Sequence, residues 1–388
     1  MDFSLTEEQI AIQEGVRKTL EPFTDDYWLE HDRTGEFPHE FYQAMAEGGW
    51  LGITMPTEYG GSGLGVTEAA LMMHEVAKNG GMSSASAIHI NLFGPHPIVV
   101  YGTDEQKKRW IPDLVEGKAK ACFGVTEPDA GLNTTGIKTR AEKTVSGDFV
   151  VNGQKIWTST GQVADKVMLL TRTTPKEEGK KATDGMTLFY TDFKSDHIEV
   201  REIEKMGRKC VDSNQVFYDN LPVSKEDMIG EEGKGFYYLL DSLNPERVLI
   251  AMEATGIAKD ALRRASTYAR ERVVFDRPIG MNQGIQHPLA ECWCEIEAAY
   301  LMAMQAATLY DNGEPCGPFA NAAKYLAASV GFKTATQAVM THGGMGYAKE
   351  FHVERLFRES IVGRIAPVSE QLILSNIAER VLDLPKSY

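Results

Sequence analysis

The stretch Phe123-Gly-Val-Thr-Glu-Pro-Asp-Ala-Gly-Leu-Asn-Thr-Thr-Gly-Ile-Lys138 decides the fold of this chain, together with Trp157-Thr-Ser159 nineteen residues later. Pro128, Gly131 and Gly136 interrupt its β-prone and polar residues, which predicts a turn whose backbone N–H groups point outward at an acceptor. A surface turn has the same composition. However, T-E-P-x-A-G followed by K-x-W-x-[ST] is far rarer by chance than a lone glycine loop. The pair of motifs therefore indicates a ligand-binding platform.

The composition is that of an ordinary globular protein with room for two or three subdomains. The chain has 388 residues, 43% apolar content and 36 glycines, so disorder is not expected. Its net charge is −15 and it contains no block of lysine or arginine. This charge disfavours a nucleic-acid or anionic membrane surface, although a local basic pocket for a phosphorylated ligand is still compatible with it.

The cysteines predict reduced thiols and no metal site. They are odd in number and sparse: Cys122, Cys210, Cys292, Cys294 and Cys316. Cys292 and Cys294 would point apart on a helix, and no second pair lies at zinc spacing. The acidic start of the chain shows no signal or transit peptide, and no apolar run reaches the length of a membrane span. We therefore expect a cytoplasmic protein.

The apolar periodicity divides the chain into three domains: a helical one over 1–118, a β-rich one over 119–230 and a helical bundle over 231–388. A capping box at Thr6 opens the first domain, and the glycine-rich segment from Pro56 to Gly65 fails the dinucleotide fingerprint and connects helices. Strands are predicted at 148–157, 166–172, 186–193, 198–203 and 215–218. Long helices are predicted at 237–272, 285–310, 318–340 and 369–382.

This order of elements predicts an α+β fold with a central antiparallel β-domain, because no helical pattern separates the strands. The third domain has helices that are apolar on more than one face, which suggests contacts with neighbouring subunits. The order, the length and the two motifs together resemble the acyl-CoA dehydrogenase family over essentially the whole chain. The resemblance implies FAD bound between the β-domain and the C-terminal bundle, in a homotetramer that is a dimer of dimers.

The resemblance also implies a reaction. An acyl-CoA thioester is oxidised to the trans-2-enoyl-CoA in fatty acid β-oxidation, and an electron-transferring flavoprotein accepts the electrons. The reaction needs a base for the α proton, hydrogen-bond donors for the thioester oxygen and a flavin for the β hydride. An acyl-CoA oxidase or an enoyl-CoA reductase on the same scaffold would show the same sequence motifs. So would a catalytically silent protein that binds flavin and acyl-CoA.

For the flavin, the resemblance assigns residues of the opening stretch and its downstream partner. They are Phe123, Val125, Thr126, Gly131, Leu132, Trp157 and Ser159. Trp157 would lie against the isoalloxazine, although a large aromatic residue at a strand end is more often a core residue. Leu132 and Asn133 stand where the family usually has Ser-Asp, so a hydroxyl that commonly contacts phosphate or substrate is lost.

A second set of flavin contacts is implied in the last domain. Arg272 would pair with the flavin pyrophosphate of a neighbouring subunit, for which guanidinium geometry is suited, or would form a surface salt bridge. Asp276 replaces the usual glycine of that turn, and His342 is expected to pack near the cofactor rather than act in catalysis. The remaining residues that the resemblance assigns to FAD are Phe275, Gln283, Gly343, Gly344 and Ser369.

The expected base is Glu246. In many family members a glutamate follows a helix-ending Arg-Glu, but ungapped alignment puts Pro367 at that place, and proline has neither a carboxylate nor an N–H. Isovaleryl-type and long-chain-type members instead carry the glutamate in an E-R motif, matched by Glu246 and Arg247. The alternative is a glutamate that merely stabilises a helix N-terminus, with Pro245 in the first turn. Burial should raise the pKa of Glu246 and Arg247 should oppose that shift.

Two features are left open by the sequence. The N–H of Val368 or a ribityl hydroxyl of the flavin could replace the donor missing at Pro367. The segment from Ser83 to Val100, with His89, Asn91, Phe93 and His96, either lines the far end of the acyl pocket or packs between helices.

Overall fold

The computed structural model describes residues 3–176 and 181–387 and begins with a helical part. Its first helix has the predicted capping box, because the Thr6 hydroxyl accepts from the Gln9 N–H at 3.2 Å and the Gln9 side chain accepts from the Thr6 N–H at 3.1 Å. The glycine-rich segment connects helices, as predicted. The helices are α1 Glu7–Leu20, α2 Asp25–Thr34, α3 His39–Glu47, α4 Val66–Phe93, α5 His96–Tyr101 and α6 Asp104–Val115.

The long helix α4 is broken in the middle at Gly81, whose φ of 74° and ψ of −154° are not helical. A buried ion pair closes the break. Glu359 accepts from the Ser83 N–H at 3.1 Å, and Arg355 donates to the Gly80 carbonyl at 2.7 Å. The second half of α4 therefore starts anew at Ser83 and carries residues 83–93 against the later helices.

The middle part is a sheet of eight strands in the order β6-β7-β3-β2-β4-β5-β8, with β1 paired to β4. Most strand pairs are antiparallel, as predicted. However, β1 pairs with β4 in parallel, and β2 pairs with β4 in parallel at Arg140 and Arg172. The sequence pattern missed β1 and β2 because each has only four residues. The strands are β1 Ala121–Gly124, β2 Arg140–Lys143, β3 Phe149–Ser159, β4 Lys166–Arg172, β5 Met186–Asp192, β6 Ile198–Glu202, β7 Ser213–Val223 and β8 Met228–Ile229.

Both faces of the sheet are covered. One face buries Leu170 and Leu188 against Trp110 of α6 and Leu239 of the third part. The other face forms a separate apolar cluster around Phe149 and Phe189. Because a helical layer lies on the first face, the loop that follows β1 emerges at the junction between the sheet and the helices.

The third part is the predicted helical bundle with a short hairpin. The long helix α7 packs against α4 and against α8 and α9. Pro245 lies inside α7, ten residues after its start, so the alternative that placed it in a first turn beside a helix N-terminus is wrong. The elements are α7 Gly235–Glu271, β9 Val273–Val274, β10 Arg277–Pro278, α8 Gln283–Asp311, α9 Gly317–His342, α10 Val353–Ser360, α11 Val362–Ile365 and α12 Glu370–Arg380.

The five cysteines are free thiols. Cys292 is buried and Cys294 is exposed, so the two side chains point apart as their spacing predicts. Within residues 3–176 and 181–387, no helix has the length and apolar character needed to cross a bilayer.

Candidate active site

A buried ion pair ties the loop after β1 to strand β3. The Glu127 carboxylate accepts from the N–H groups of Lys138 at 2.6 Å and Thr139 at 2.9 Å, and from Lys155 Nζ at 2.9 Å. Lys155 also donates to the Val125 carbonyl at 3.0 Å. Burial opposes ionisation of Glu127, but Lys155 and the N–H donors hold its pKa below the usual value. This pair explains why T-E-P and K-x-W occur together, a role that the sequence interpretation did not assign.

Trp157 lies at an irregularity of β3, where the pairing with β7 shifts register between Ile156 and Thr158. Its φ of 62° is rare for a large side chain, and 57% of the residue is exposed. Such a backbone costs on the order of 1–3 kcal/mol and an exposed indole loses burial, so packing within the chain does not account for it. The Ile156 N–H donates to the Thr126 carbonyl at 2.9 Å, which keeps Trp157 beside the loop.

The other predicted flavin residues of this region form an open surface next to Trp157. Phe123, Thr126 and Ser159 are half-buried, while Val125 is buried beneath them. Leu132 is 58% exposed. A Cβ added to Gly131 would meet no atom within 4 Å, so nothing within the chain requires a glycine there. The space over the loop is free for a ligand.

Glu246 lies in the interior of α7 and is 6% exposed. Burial raises the pKa of its carboxyl to about 7, while His89 and Arg247 oppose the shift. Its carboxylate makes no hydrogen bond to any residue in the described part of the chain. Arg247 donates to the Asn244 side chain at 2.9 Å. Glu246 is therefore a buried carboxyl that titrates near neutral pH and is free to accept a proton.

The sequence interpretation missed a second acid near this site, Glu253, which is fully buried on the same helix. Its Oε1 lies 2.6 Å from His89 Nδ1 on α4. Burial lowers the pKa of His89, but the interaction with Glu253 raises it, and the net effect is a raised pKa. The available signal was the seven-residue spacing of Glu246 and Glu253, which puts both carboxylates on one helix face.

Lys324 of α9 holds the segment around Pro367, and its charge also acts on Glu246. Lys324 is buried, its Nζ donates to the Val368 carbonyl at 2.5 Å, and burial lowers its pKa to about 8. The Val368 N–H donates to no acceptor among the described residues. Ser369, which was assigned to the cofactor, accepts from the Leu372 N–H at 3.3 Å and caps α12.

The last group of predicted residues lies on and beside the β9–β10 hairpin. Phe275 and Asp276 form its two-residue turn with φ values of 52° and 61°. Aspartate tolerates this left-handed backbone, so Asp276 keeps the turn that glycine would form. Phe275 is 93% exposed at the tip. Arg272 and Gln283 are also exposed, and Arg272 has no ion pair within residues 3–176 and 181–387. The surface salt bridge is therefore not formed within the described chain.

A glycine turn at the end of α9 lies beside this hairpin. His342 is buried, contacts the Ala338 carbonyl at 2.7 Å and stacks on Tyr268 with ring centroids 4.2 Å apart. A Cβ on Gly343 or Gly344 would meet no atom within 4 Å, so the turn is open to a ligand. His342 thus packs against Tyr268 at the end of α9, and its place near the cofactor stays a prediction.

The predicted site residues form three groups: the 123–138 loop with Trp157, the region of Glu246, and the hairpin with the turn at Gly343. The first two groups are in contact. The 123–138 loop reaches the Glu246 region through Phe93, whose ring centroid lies 5.2 Å from that of Phe123 and 4.8 Å from that of His89. By contrast, no hydrogen bond, ion pair or ring contact in the described part of the chain joins the loop to the group of Arg272 and Gly343.

Comparison with known proteins identifies the class. Three family models match in succession: the acyl-CoA dehydrogenase N-terminal domain over residues 6–118, the middle domain over 122–221 and the C-terminal domain over 233–382. The chain is similar to the acyl-CoA dehydrogenase fadE12 of Mycobacterium bovis, with 36% identity over 100% of this chain and 99% of the relative. It is also similar to a 3-(aryl)acrylate reductase of Clostridium sporogenes, with 33% identity over 93% and 95%.

The solved structure of butyryl-CoA dehydrogenase from Megasphaera elsdenii is similar over 98% of this chain and 100% of that one, with a TM-score of 0.94 and 30% identity. The helical, β and helical parts thus define a flavoprotein oxidoreductase. The chain belongs to the acyl-CoA dehydrogenase family, and its cofactor is FAD. The residues present fit this group, because Trp157 is exposed and a Cβ at Gly131 or Gly344 would meet no atom of the described residues within 4 Å.

Proposed function

We propose that the chain oxidises an acyl-CoA thioester to the trans-2-enoyl-CoA, with Glu246 as the base that removes the α proton. The observation that carries this proposal is the buried carboxyl of Glu246. Its pKa is raised to about 7 by burial, and it makes no hydrogen bond to a described residue. The charge of His89 acts on it, and Phe93 links His89 to Phe123 of the loop. A base of this pKa is half-ionised at neutral pH and gains a strong driving force for proton transfer.

The surrounding residues fit the same reaction. FAD supplies the acceptor for the β hydride. Pro367 has no N–H to donate, so we assign the thioester oxygen to the N–H of Val368, which has no acceptor among residues 3–176 and 181–387. Lys324 fixes that segment through the Val368 carbonyl. A cavity of about 140 Å³, bounded by Phe93, Pro245 and Leu249 among others, adjoins the turn of α7 that carries Glu246 and would receive part of the acyl chain.

The test is anaerobic flavin bleaching by acyl-CoA in Glu246→Gln. We expect FAD to stay bound and bleaching to slow by roughly a hundredfold or more, because general-base catalysis typically contributes that much. The matched control is Asp260→Asn, which neutralises another buried acid of α7 whose carboxylate is paired with Arg263 and Arg264. Bleaching by Glu246→Gln at the control's rate would contradict the assignment.

The direction of the reaction is part of the proposal, because the Clostridium relative is a reductase. An oxidase would show rapid reoxidation of the reduced flavin by oxygen, and a reductase would oxidise the reduced flavin with enoyl-CoA faster than acyl-CoA bleaches it. A yellow protein that binds acyl-CoA and never bleaches would favour the silent alternative. The presence of Glu246 and Arg247 counts against the silent alternative.

The partners belong to the same proposal. We propose that an electron-transferring flavoprotein accepts the electrons. We also propose that the protein acts in fatty acid β-oxidation in the cytoplasm and assembles as a dimer of dimers. The assembly is supported by the separation of the two flavin groups within one chain, since Arg272 and Gly343 can complete the site of a neighbouring subunit. Exposed apolar side chains on this part, such as Phe275 at 93% and Tyr347 at 89%, are the kind that such an interface covers.

A further inference from the structure

One face of α7 carries polar residues where it packs against α4. Ser242, Glu246 and Glu253 are spaced by four and seven residues, so they lie on the same side of the helix. Helix α4 adds His89 to this contact. All four residues are buried, in a seam where apolar residues are the norm. We call His89 and Glu253 the polar pair.

Each residue of the polar pair has one polar atom without a hydrogen-bond partner in the described part of the chain. His89 Nδ1 and Glu253 Oε1 are 2.6 Å apart, which satisfies one polar atom of each residue. The other two, His89 Nε2 and Glu253 Oε2, are buried and have no partner in the described part of the chain. Ser242 Oγ and Arg247 Nε nearby are in the same state. A buried polar atom without a hydrogen-bond partner is destabilising, so a polar group that bonded to these atoms would stabilise the seam.

The position of the polar pair relates it to the substrate. The seven-residue separation of Glu253 from Glu246 corresponds to about 10 Å along the helix axis. His89 contacts Phe93, and Phe93 contacts Phe123 of the loop assigned to FAD. An acyl group whose α carbon lies at Glu246 would reach the polar pair if it extended by this distance along the same helix face.

The charges indicate what would bind there. Because Glu253 raises the pKa of His89, the polar pair favours the protonated imidazole, which has an N–H at both ring nitrogens. It offers one N–H donor at Nε2 and one acceptor at Oε2. A hydroxyl group can satisfy both, whereas a methyl group satisfies neither and a carboxylate would be repelled by Oε2. We propose that the preferred substrate is an acyl-CoA that carries a hydroxyl group on the distal part of its acyl chain. This inference rests on the proposed dehydrogenase function.

The experiment measures anaerobic flavin bleaching with matched acyl-CoAs. At each of several chain lengths, the ω-hydroxyacyl-CoA is compared with the unsubstituted and the ω-carboxylated acyl-CoA. At the length that reaches the polar pair, we expect the hydroxyl compound to have a kcat/KM roughly tenfold to a hundredfold above the other two, as one satisfied pair of buried atoms implies. Equal rates, or a preference for the methyl or carboxylate end at every length, would overturn the inference.

Two variants separate a role in specificity from a structural one. In Glu253→Gln with His89→Leu, the preference for the hydroxyl compound should disappear while the unsubstituted acyl-CoA still bleaches the flavin. The Asp260→Asn control should keep the wild-type ratio, because its partners are Arg263 and Arg264. If the double variant does not fold, the wild-type ratios decide alone. If no acyl-CoA bleaches the wild-type flavin, the proposed function fails and the inference with it, whereas bleaching without a hydroxyl preference refutes only the inference.

Discussion

At the scale of single residues, burial gives this site its chemistry. Glu246 is enclosed by helices, and the cost of ionising it there raises its pKa to about 7. Glu127 is also buried, yet its pKa is lowered, because Lys155 and the backbone donors stabilise the carboxylate. Burial therefore affects the two glutamates differently: the pKa of Glu127 stays low because of its donors, while the pKa of Glu246 is raised, as the proposed base requires.

The raised pKa of Glu246 predicts a pH dependence of stability. In the folded chain this group binds its proton more tightly than in the unfolded chain, where the ordinary value is 4.5. Its contribution to stability is therefore present below about pH 4.5 and is lost as the pH rises toward about 7. Glu246→Gln should thus be more stable than wild type at pH 8, by a few kcal/mol at most, and similar to it at pH 5.

Thermal melting of the two proteins at both pH values measures this difference. A protonated Glu246 cannot accept the α proton. The bleaching rate of the wild-type flavin should therefore also fall as the pH drops below about 7. Equal melting temperatures of wild type and Glu246→Gln at pH 8 would show that Glu246 is not buried as described.

At the scale of elements, the site depends on the break in α4. Gly81 allows the second half of the helix to start again, and Glu359 and Arg355 bond to the backbone at the break. That half carries His89 and Phe93, which connect α7 to the 123–138 loop. A straight α4 would direct these side chains elsewhere.

Two glycine substitutions should have contrasting effects. In Gly81→Ala, a methyl group would lie 2.7 Å from Glu359 Oε2 at a φ of 74°, so we expect the melting temperature to fall by roughly 4 °C or more. In Gly344→Ala, the methyl group meets no atom within 4 Å. This variant should melt like the wild type without FAD but bind FAD more weakly.

Melting with and without FAD, together with flavin titration, distinguishes the two cases. Unchanged FAD affinity in Gly344→Ala would place the cofactor away from that turn. An unchanged melting temperature in Gly81→Ala would mean that the break in α4 does not need glycine.

At the scale of the whole molecule, the residues that we propose to bind FAD fall into two separate groups. The loop with Trp157 lies on the β part, while the hairpin with Arg272 and the turn at Gly343 lie at the far end of the bundle. No bond in the described chain joins them. Association of subunits is the arrangement that would bring such groups together.

Phe275→Ser tests this arrangement. Removing the aromatic tip of the hairpin, which is 93% exposed, should leave the fold intact but weaken both subunit association and FAD binding. The control is Val145→Ser, which removes an equally exposed apolar side chain from the turn between β2 and β3. Sedimentation and flavin content measure the two effects. A Phe275→Ser protein that keeps the wild-type mass and FAD content would argue against a shared site.

Much of the fold could be predicted because its signals are local. Apolar periodicity predicted the helices of the bundle, and short β-rich runs predicted strands such as Lys166–Arg172. The four-residue strands β1 and β2 were missed, since a short strand has too few residues to show a period. The site roles of Trp157 and Glu246 followed from motif resemblance and stay predictions until tested.

What the sequence by itself determined is the order of the helical and β parts, the family and the motif residues. Only the tertiary structure decided what surrounds them. It paired Glu127 with Lys155, placed Pro245 inside a helix and brought His89 to Glu253 across 164 positions of the chain. The physical reason is that periodicity and turn chemistry act between near neighbours. Burial and pKa, by contrast, depend on which distant segments pack together, and a single sequence contains no local signal for that.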